Sequence, residues 1–148
     1  MMKLFARKAP WYAAGLAFEC AECGACCAGP DEGYVWVTDE DIAAIARHLA
    51  ISEQEMRARY VRQVAARTSL IEDPVSKDCV FLRPAGQGAR SCAIYPVRPV
   101  QCRTWPFWPS NLDTPDTWAL AQVKCRGVNR GALHTCDEID AQRKATRE

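Results

Sequence analysis

The chain has 148 residues, a length typical of one domain, and its apolar fraction of 49% and charged fraction of 25% are those of an ordinary folded protein. Nineteen basic residues stand against eighteen acidic ones, and the net charge of +1 argues against nucleic acid or an anionic membrane as the main partner. We therefore predict one folded domain over residues 1–148.

The N-terminus carries some features of a secretion signal, because Lys3 and Arg7 precede a mostly apolar stretch over residues 10–18. That stretch contains Pro10 and Gly15, however, and no small-x-small cleavage site follows it. No apolar run in the sequence approaches the ~20 residues needed to span a bilayer. We therefore predict a cytoplasmic protein that does not enter a membrane.

The first half of the chain predicts one short strand and two helices. The strand covers residues 33–37, which are rich in aromatic and β-branched side chains. A helix over 39–49 follows Thr38 and a second over 53–66 follows Ser52, because Thr and Ser are good helix N-caps. The apolar residues that recur at helical spacing along the two helices are Ile42, Ile45, Ala46, Leu49, Met56, Tyr60 and Val64.

A β-hairpin is predicted in the middle of the chain. Its arms are the strand-like runs 78–82 and 91–95, and the residues between them, 83–90, have the composition of a loop. This hairpin would carry Cys79 on one arm and Cys92 on the other.

The second half of the chain predicts short elements separated by irregular segments. Four prolines over 96–109 exclude a regular helix or a central strand there, apart from one short turn over 99–102. A strand is predicted over 118–124, ended by Cys-Arg-Gly at 125–127, and a polar helix over 135–147. These elements, with those of the first half, predict a small α+β domain.

Cysteine is the outlier of the composition, with nine residues in the chain and four of them within eight positions. Cys20 and Cys23 have the spacing of a metal knuckle, which lets both thiolates turn toward one ion. Cys26 extends the same spacing, as in runs that hold iron–sulfur clusters. Cys27 follows directly, and adjacent side chains usually diverge, so we expect Cys26 and Cys27 to serve different metal atoms or different sides of one cluster.

Disulfides explain this pattern less well than metal ligation does. Four cysteines within eight residues are crowded for disulfide bonds, and nine is an odd number. The remaining cysteines are Cys79, Cys92, Cys102, Cys125 and Cys136. Eight of the nine could form two four-cysteine sites, or the N-terminal four could fill one site alone. Cys136 is the one left over, and we expect it to pack as a small apolar residue.

Several basic residues adjoin the later cysteines. Arg103 follows Cys102, while Lys124 and Arg126 flank Cys125. They could offset the charge of a thiolate-bound centre, or could be ordinary solvated surface charges. Arg98 is expected to bond backbone carbonyls or sulfur within its proline-rich loop.

Aromatic residues and two histidines complete the candidates. Trp105, Phe107 and Trp108 are expected to form an apolar lid over the metal site, with a partner-binding platform as the alternative. His48 is predicted to be a surface or packing residue, and His134, which precedes Cys136 by two, is a weaker candidate for a ligand.

Several segments together resemble the YkgJ-type cysteine-cluster family, CxxCxxCC, which is also described as a zinc- or iron-chelating domain. They are FECAECGACC at 18–27, CVFL at 79–82, CAIYPVRPVQCRTWPFW at 92–108 and CRG at 125–127 with Gly131. The resemblance covers roughly residues 16–131, which we take as the core of the domain. Arg126 and Asn129 stand where the family pattern usually has Pro and a second Gly.

The resemblance implies the ligand set of the metal site. By the family motif, the ligands are Cys20, Cys23, Cys26, Cys27, Cys79, Cys92, Cys102 and Cys125, and Cys136 falls outside the motif. We thus expect an α+β domain organised around a cysteine-ligated metal site.

The implied function is metal binding through an iron–sulfur cluster or through iron or zinc, with a redox or accessory role. The alternative is a zinc-stapled structural or protein-interaction module without catalysis, so a protein partner stays open beside metal ions. Whether the chain is an enzyme also stays open, because it has no recognisable triad, phosphate loop or carboxylate pair. An iron–sulfur cluster is slightly favoured over zinc, because the cysteine triplet 20–26 is similar to cluster runs and an apolar segment adjoins Cys102.

Overall fold

The computed structural model of the protein describes residues 7–146. Lys3 and Arg147, which entered the predictions of a secretion signal and of the last helix, lie outside the described residues. The helices are α1 (Asp39–Leu49), α2 (Glu53–Tyr60), α3 (Val100–Thr104), α4 (Pro109–Leu112), α5 (Pro115–Lys124) and α6 (Cys136–Ala145). The strands are β1 (Leu16–Phe18), β2 (Val61–Val64), β3 (Arg67–Leu70), β4 (Leu82–Gly86), β5 (Ala89–Cys92) and β6 (Val128–His134).

Within the described residues, the strands form three separate antiparallel pairs, β1 with β6, β2 with β3, and β4 with β5. The first pair joins the beginning of the chain to its end, with Leu16 opposite His134. The predicted α+β class is therefore confirmed, with small ladders in place of one large sheet. Within residues 7–146, none of the helices is long and apolar enough to cross a membrane.

In the part of the chain that the structure describes, two hydrophobic clusters form the core. The first comprises Tyr12, Phe107, Leu112, Trp118, Ala121, Cys125, Val128 and Ile139. The second comprises Val37, Ile42, Ile45, Ala46, Met56, Leu70, Phe81 and Ile94. The first cluster is built mainly by α5, α6 and β6, and the second by α1, α2 and the turns around β4 and β5.

Helix α1 has the predicted bounds because a reciprocal pair of hydrogen bonds, a capping box, fixes its N-terminus. The hydroxyl of Thr38 accepts a hydrogen bond from the Asp41 N–H, and the Asp41 carboxylate accepts one from the Thr38 N–H. Ile42 and Ile45 are fully buried, as their helical spacing predicts. Thr135 caps α6 in the same way.

The prediction of a second helix over 53–66 is wrong beyond Tyr60. The chain continues as β2, which pairs with β3 from Val61 opposite Leu70 to Val64 opposite Arg67. The two β-branched valines favour this extended ladder over another helical turn. The predicted strand 33–37 is reduced to a single bridge between Trp36 and Ser69.

The prediction of a strand over 118–124 is also wrong, because these residues lie in α5. Thr114 caps that helix and Pro115 occupies its first turn, a combination that favours a helical start. The predicted hairpin exists but is displaced, since β4 and β5 occupy most of the segment 83–90 that was predicted as a loop. Cys92 lies on an arm, whereas Cys79 lies before β4 and bridges Glu72.

Candidate metal centre

The N-terminal cysteine run follows β1 and ends in a single 3-10 turn, Ala25–Cys27. Gly24 precedes this turn with a positive φ of 72°, a conformation that favours glycine. A Cβ at this position would lie 2.5 Å from the Leu82 Cδ1 atom, so the missing side chain also lets the run approach β4 closely.

The eight cysteines of the family motif all line one cavity of about 90 Å³. They are Cys20, Cys23, Cys26, Cys27, Cys79, Cys92, Cys102 and Cys125. Leu70 and Ile94 of the second hydrophobic cluster line the same cavity, and so does Trp105, which packs against the first cluster. The cavity therefore lies where the two halves of the core meet. Cys136 lies elsewhere, with its thiol 3.9 Å from the Asp140 carboxylate.

Backbone hydrogen bonds hold the separate cysteine segments together. The Cys79 N–H donates to the Cys27 carbonyl at 2.7 Å, and the Gly29 N–H donates to the Asp78 carboxylate at 2.8 Å. The Cys102 N–H donates to the Pro99 carbonyl at 3.0 Å in the first turn of α3. The first two bonds thus join the N-terminal run to the segment around Cys79, and the third fixes Cys102 locally.

The Cys26 and Cys27 Sγ atoms lie 4.0 Å apart, so the expectation that these adjacent side chains diverge is wrong. Two thiolates on one tetrahedral ion lie about 3.8 Å apart, as follows from metal–sulfur bonds of about 2.3 Å. The present side-chain conformations nevertheless bring no three Cys, His, Asp or Glu of residues 7–146 into a complete metal-binding group. The cysteines share one cavity, but some of them must rotate to ligate together.

Hydrogen bonding and burial shift the pKa values of five cavity thiols in opposite directions. The Cys27 thiol lies against both Cys26 and Cys92, and these contacts lower the pKa of Cys26 to about 7 and that of Cys92 to about 6. The same contacts raise the pKa of Cys27 well above its usual value. Burial raises the pKa of Cys79 to about 11 and also raises that of Cys102. Deprotonated cysteine is the form that binds metal, and the lowered pKa values of Cys26 and Cys92 favour that form.

Two arginines line the cavity, Arg98 and Arg103. Arg98 donates to the Tyr95 carbonyl at 3.0 Å, as its position in the loop predicted, and its positive charge helps to lower the pKa of both Cys26 and Cys92. Arg126 and Lys124 are not among the residues that line the cavity. Tyr95 was not predicted as part of this site, yet a hydrogen bond with Cys20 raises the pKa of its hydroxyl. Its position three residues after Cys92 was the available signal.

The aromatic segment after Cys102 divides between the core and the cavity wall. Phe107 is buried in the first hydrophobic cluster and stacks on Trp118 at 5.7 Å. Trp105 lines the cavity, and its ring meets that of Trp108 edge-on at 4.8 Å. The indole nitrogen of Trp105 is buried and has no hydrogen-bond partner within residues 7–146.

Comparison with known proteins gives the family. The family model named CxxCxxCC, "Putative zinc- or iron-chelating domain", matches residues 19–128, which is more than half of the chain. The chain belongs to the CxxCxxCC family. This confirms the resemblance drawn from the sequence, and the family description supports metal binding.

This CxxCxxCC chain is also similar to the uncharacterized protein MJ0661 of Methanocaldococcus jannaschii. The two are 34% identical over 132 residues, which cover 86% of this chain and 66% of that relative. The match thus spans just under two thirds of the relative's length. No solved structure matches the chain.

A larger cleft of about 380 Å³ adjoins the cysteine cavity of this CxxCxxCC chain. Cys26, Cys27 and Cys79 line both spaces, so the cleft reaches one side of the candidate centre. Its other walls include Trp36 and Trp108. Its volume lies within the range of small-molecule sites in proteins. The cleft could not be predicted from the sequence, because its walls come from segments far apart in the chain.

Both histidines lie outside the cavity lining. The His48 Nε2 atom lies 3.0 Å from the Ala93 carbonyl oxygen, and the His134 Nε2 atom lies 3.0 Å from that of Phe18. A carbonyl oxygen only accepts hydrogen bonds, so the Nε2–H of each ring donates to the backbone. His48 is thus an exposed surface residue, whereas the His134 ring packs against Phe18 and Phe107.

Proposed function

We propose that this protein binds one polynuclear metal centre through the eight cysteines of its motif, with an iron–sulfur cluster favoured over zinc. The observation that carries the proposal is that all eight thiols line one cavity. A single tetrahedral ion takes four thiolates, so eight thiols in one cavity exceed what one structural zinc requires. A purely structural role would be favoured by two four-cysteine sites far apart in the fold. A single cavity lined by all eight cysteines supports one shared centre instead.

The donor set fits such a centre. Thiolates suit zinc and iron–sulfur centres, whereas calcium, magnesium and manganese prefer oxygen ligands. The Sγ separation of 4.0 Å between Cys26 and Cys27 is close to that of two thiolates on one metal atom. Arg98 and Arg103 in the cavity wall would offset part of the negative charge of a thiolate-bound centre.

A redox or accessory role is supported by the cleft beside the cavity. Structural zinc sites are closed, but here Cys26, Cys27 and Cys79 face a second space of about 380 Å³. A bound iron–sulfur cluster would supply one-electron transfer. The chain's own part would be to keep water away with Trp105 and Phe18, and to admit a reactant from the cleft side.

The second candidate function is a zinc-stapled interaction module without catalysis, which binds another protein. The observation that favours it is the outer face of α5, where Leu120 is 70% exposed and Val123 is 87% exposed. Exposed large apolar side chains on one helix face are a feature of protein-binding surfaces. We propose a cytoplasmic location for either function, with neither nucleic acid nor a membrane as partner.

Anaerobic purification tests the proposal, with visible absorption and with iron, sulfide and zinc measured on one sample. A brown protein with near-equal iron and sulfide supports the cluster. A matched pair of variants, Cys92→Ser and Cys136→Ser, shows whether the metal resides in the cavity: the first should lose metal and the second should retain it. A colourless protein that keeps only zinc after anaerobic reconstitution with iron and sulfide would refute the iron–sulfur assignment. Loss of metal from both variants alike would refute the cavity as its site.

A further inference from the structure

We propose that the indole N–H of Trp105 donates a hydrogen bond to a sulfur atom of the bound centre. This inference rests on the proposed function, because the acceptor is a thiolate or sulfide that belongs to the loaded site. It makes Trp105 a positioning residue, which acts through the sulfur ligands and is not itself a ligand.

The first observation is the state of the indole nitrogen. The Trp105 Nε1 atom is buried, and the part of the chain that the structure describes offers it no hydrogen-bond partner. Buried polar groups in folded proteins are nearly always paired, so a donor left over next to a binding cavity needs an explanation. Three other tryptophans of this chain have a paired indole N–H: Trp11 donates to the Leu112 carbonyl, Trp108 to that of Gln101, and Trp118 to the Asn129 side chain.

The second observation is the position of the ring. Trp105 lines the eight-cysteine cavity together with Cys102 on α3 and Cys125 at the end of α5. The ring is held there by edge-on contact with Trp108 and by the Lys124 ammonium, 5.9 Å from its centroid. The orphan donor is therefore part of a fixed wall and not of a mobile surface side chain.

The chemistry of indole selects the acceptor. Indole nitrogen donates one hydrogen bond and accepts none, so it cannot ligate a metal but can bond an electron-rich sulfur. Hydrogen bonds to sulfur ligands stabilise the negative charge of a metal–thiolate centre and adjust the reduction potential of a cluster. Because indole does not titrate, this contribution would be independent of pH.

The test compares Trp105→Phe with Trp11→Phe in the full chain. Both changes keep an aromatic ring, but only the first removes the unpaired donor, since the Trp11 N–H donates to the Leu112 carbonyl and Trp11 does not line the cavity. We expect zinc, measured by competition with a chelator, to bind Trp105→Phe about 10-fold more weakly than the wild-type protein, as for other lost contacts to metal ligands. If the protein holds an iron–sulfur cluster, its midpoint potential should become more negative in Trp105→Phe and stay unchanged in Trp11→Phe.

A second measurement does not depend on how the variant folds. In wild-type protein with 15N-labelled tryptophan, zinc loading should move the Trp105 indole proton signal downfield and slow its exchange with solvent. This inference alone would be overturned if Trp105→Phe kept the zinc affinity and midpoint potential of the wild-type protein. It would also be overturned if zinc loading left the Trp105 indole proton signal unchanged. A wild-type protein that takes up no metal would overturn the proposed function as well.

Discussion

The Cys79 N–H donates a 2.7 Å hydrogen bond to the carbonyl oxygen of Cys27, and this bond joins the N-terminal cysteine run to the turn before β4. A second bond beside it, from the Gly29 N–H to the Asp78 carboxylate, strengthens the same junction. Two proposed ligands from distant parts of the sequence are therefore held in place by the main chain. Because the backbone is fixed while the thiols can still rotate, metal binding would set the final side-chain conformations.

Gly29→Ala should break this junction. A Cβ at Gly29 would lie 1.8 Å from the Ser76 carbonyl oxygen, so the backbone would have to move apart. We expect a loss of about 2 kcal/mol or more in the free energy of unfolding, measured by urea titration. Gly33→Ala is the matched control, because a Cβ there meets no described atom within 4 Å, and it should change stability by less than about 0.5 kcal/mol. Equal effects of the two changes would contradict the role of the close approach.

Gln101→Met should loosen the connection between α3 and the segment before α1. The Gln101 amide accepts from the Trp36 N–H at 3.0 Å and donates to the Tyr34 carbonyl at 2.9 Å. Methionine has a similar length but leaves both backbone groups unpaired, which should cost about 2 to 4 kcal/mol of unfolding free energy. Gln63→Met provides the comparison, because Gln63 is exposed and bonds only the Thr68 hydroxyl among the contacts described. A similar loss in both variants would show that the buried position is not special.

Metal removal should destabilise the domain. The proposed ligands come from the N-terminal run, the turn before β4, the end of β5, α3 and the end of α5, so a bound centre would tie these elements together. Chelation or Cys23→Ser should therefore lower the melting temperature, because metal-binding free energy is folding free energy in such sites. Cys136→Ser should leave it nearly unchanged. An unaltered melting temperature after verified metal removal would argue against a structural contribution of the centre.

Metal loading should release protons. Near pH 8 the Cys26 and Cys92 thiols, with pKa values of about 7 and about 6, are mostly ionised, whereas Cys27, Cys79 and Cys102 have raised pKa values and keep their protons. Thiolate is the ligand form, so a metal must displace those protons, and raising the pH should strengthen binding by about tenfold per pH unit for each proton released. Zinc titration calorimetry in buffers of different ionisation enthalpy measures the number of protons. Heats that do not depend on the buffer would show that the thiols are already ionised.

Local signals in the sequence were sufficient for several elements. Helix α1 was predicted with its true bounds, because Thr38 and Asp41 cap it and its isoleucines recur at helical spacing. Helix α6 was predicted from Thr135 and Glu138 in the same way. The family and its cysteine motif were also evident from the sequence, since the spacing of Cys20, Cys23 and Cys26 is itself local.

Long-range contacts decided the rest. Val61 to Val64 suited a helix or a strand, and pairing with β3 selected the strand. Residues 118–124 suited a strand by composition, and burial of Trp118 in the first cluster accompanies the helix that they form. Here the local Thr114 cap, followed by Pro115, was a helix signal that the strand prediction overlooked. The gathering of eight cysteines in one cavity also required the tertiary fold, because spacing along the chain does not specify how separate segments meet. The unpaired indole nitrogen of Trp105 could not be predicted from the sequence either, because the packing of the folded chain decides which polar groups find partners.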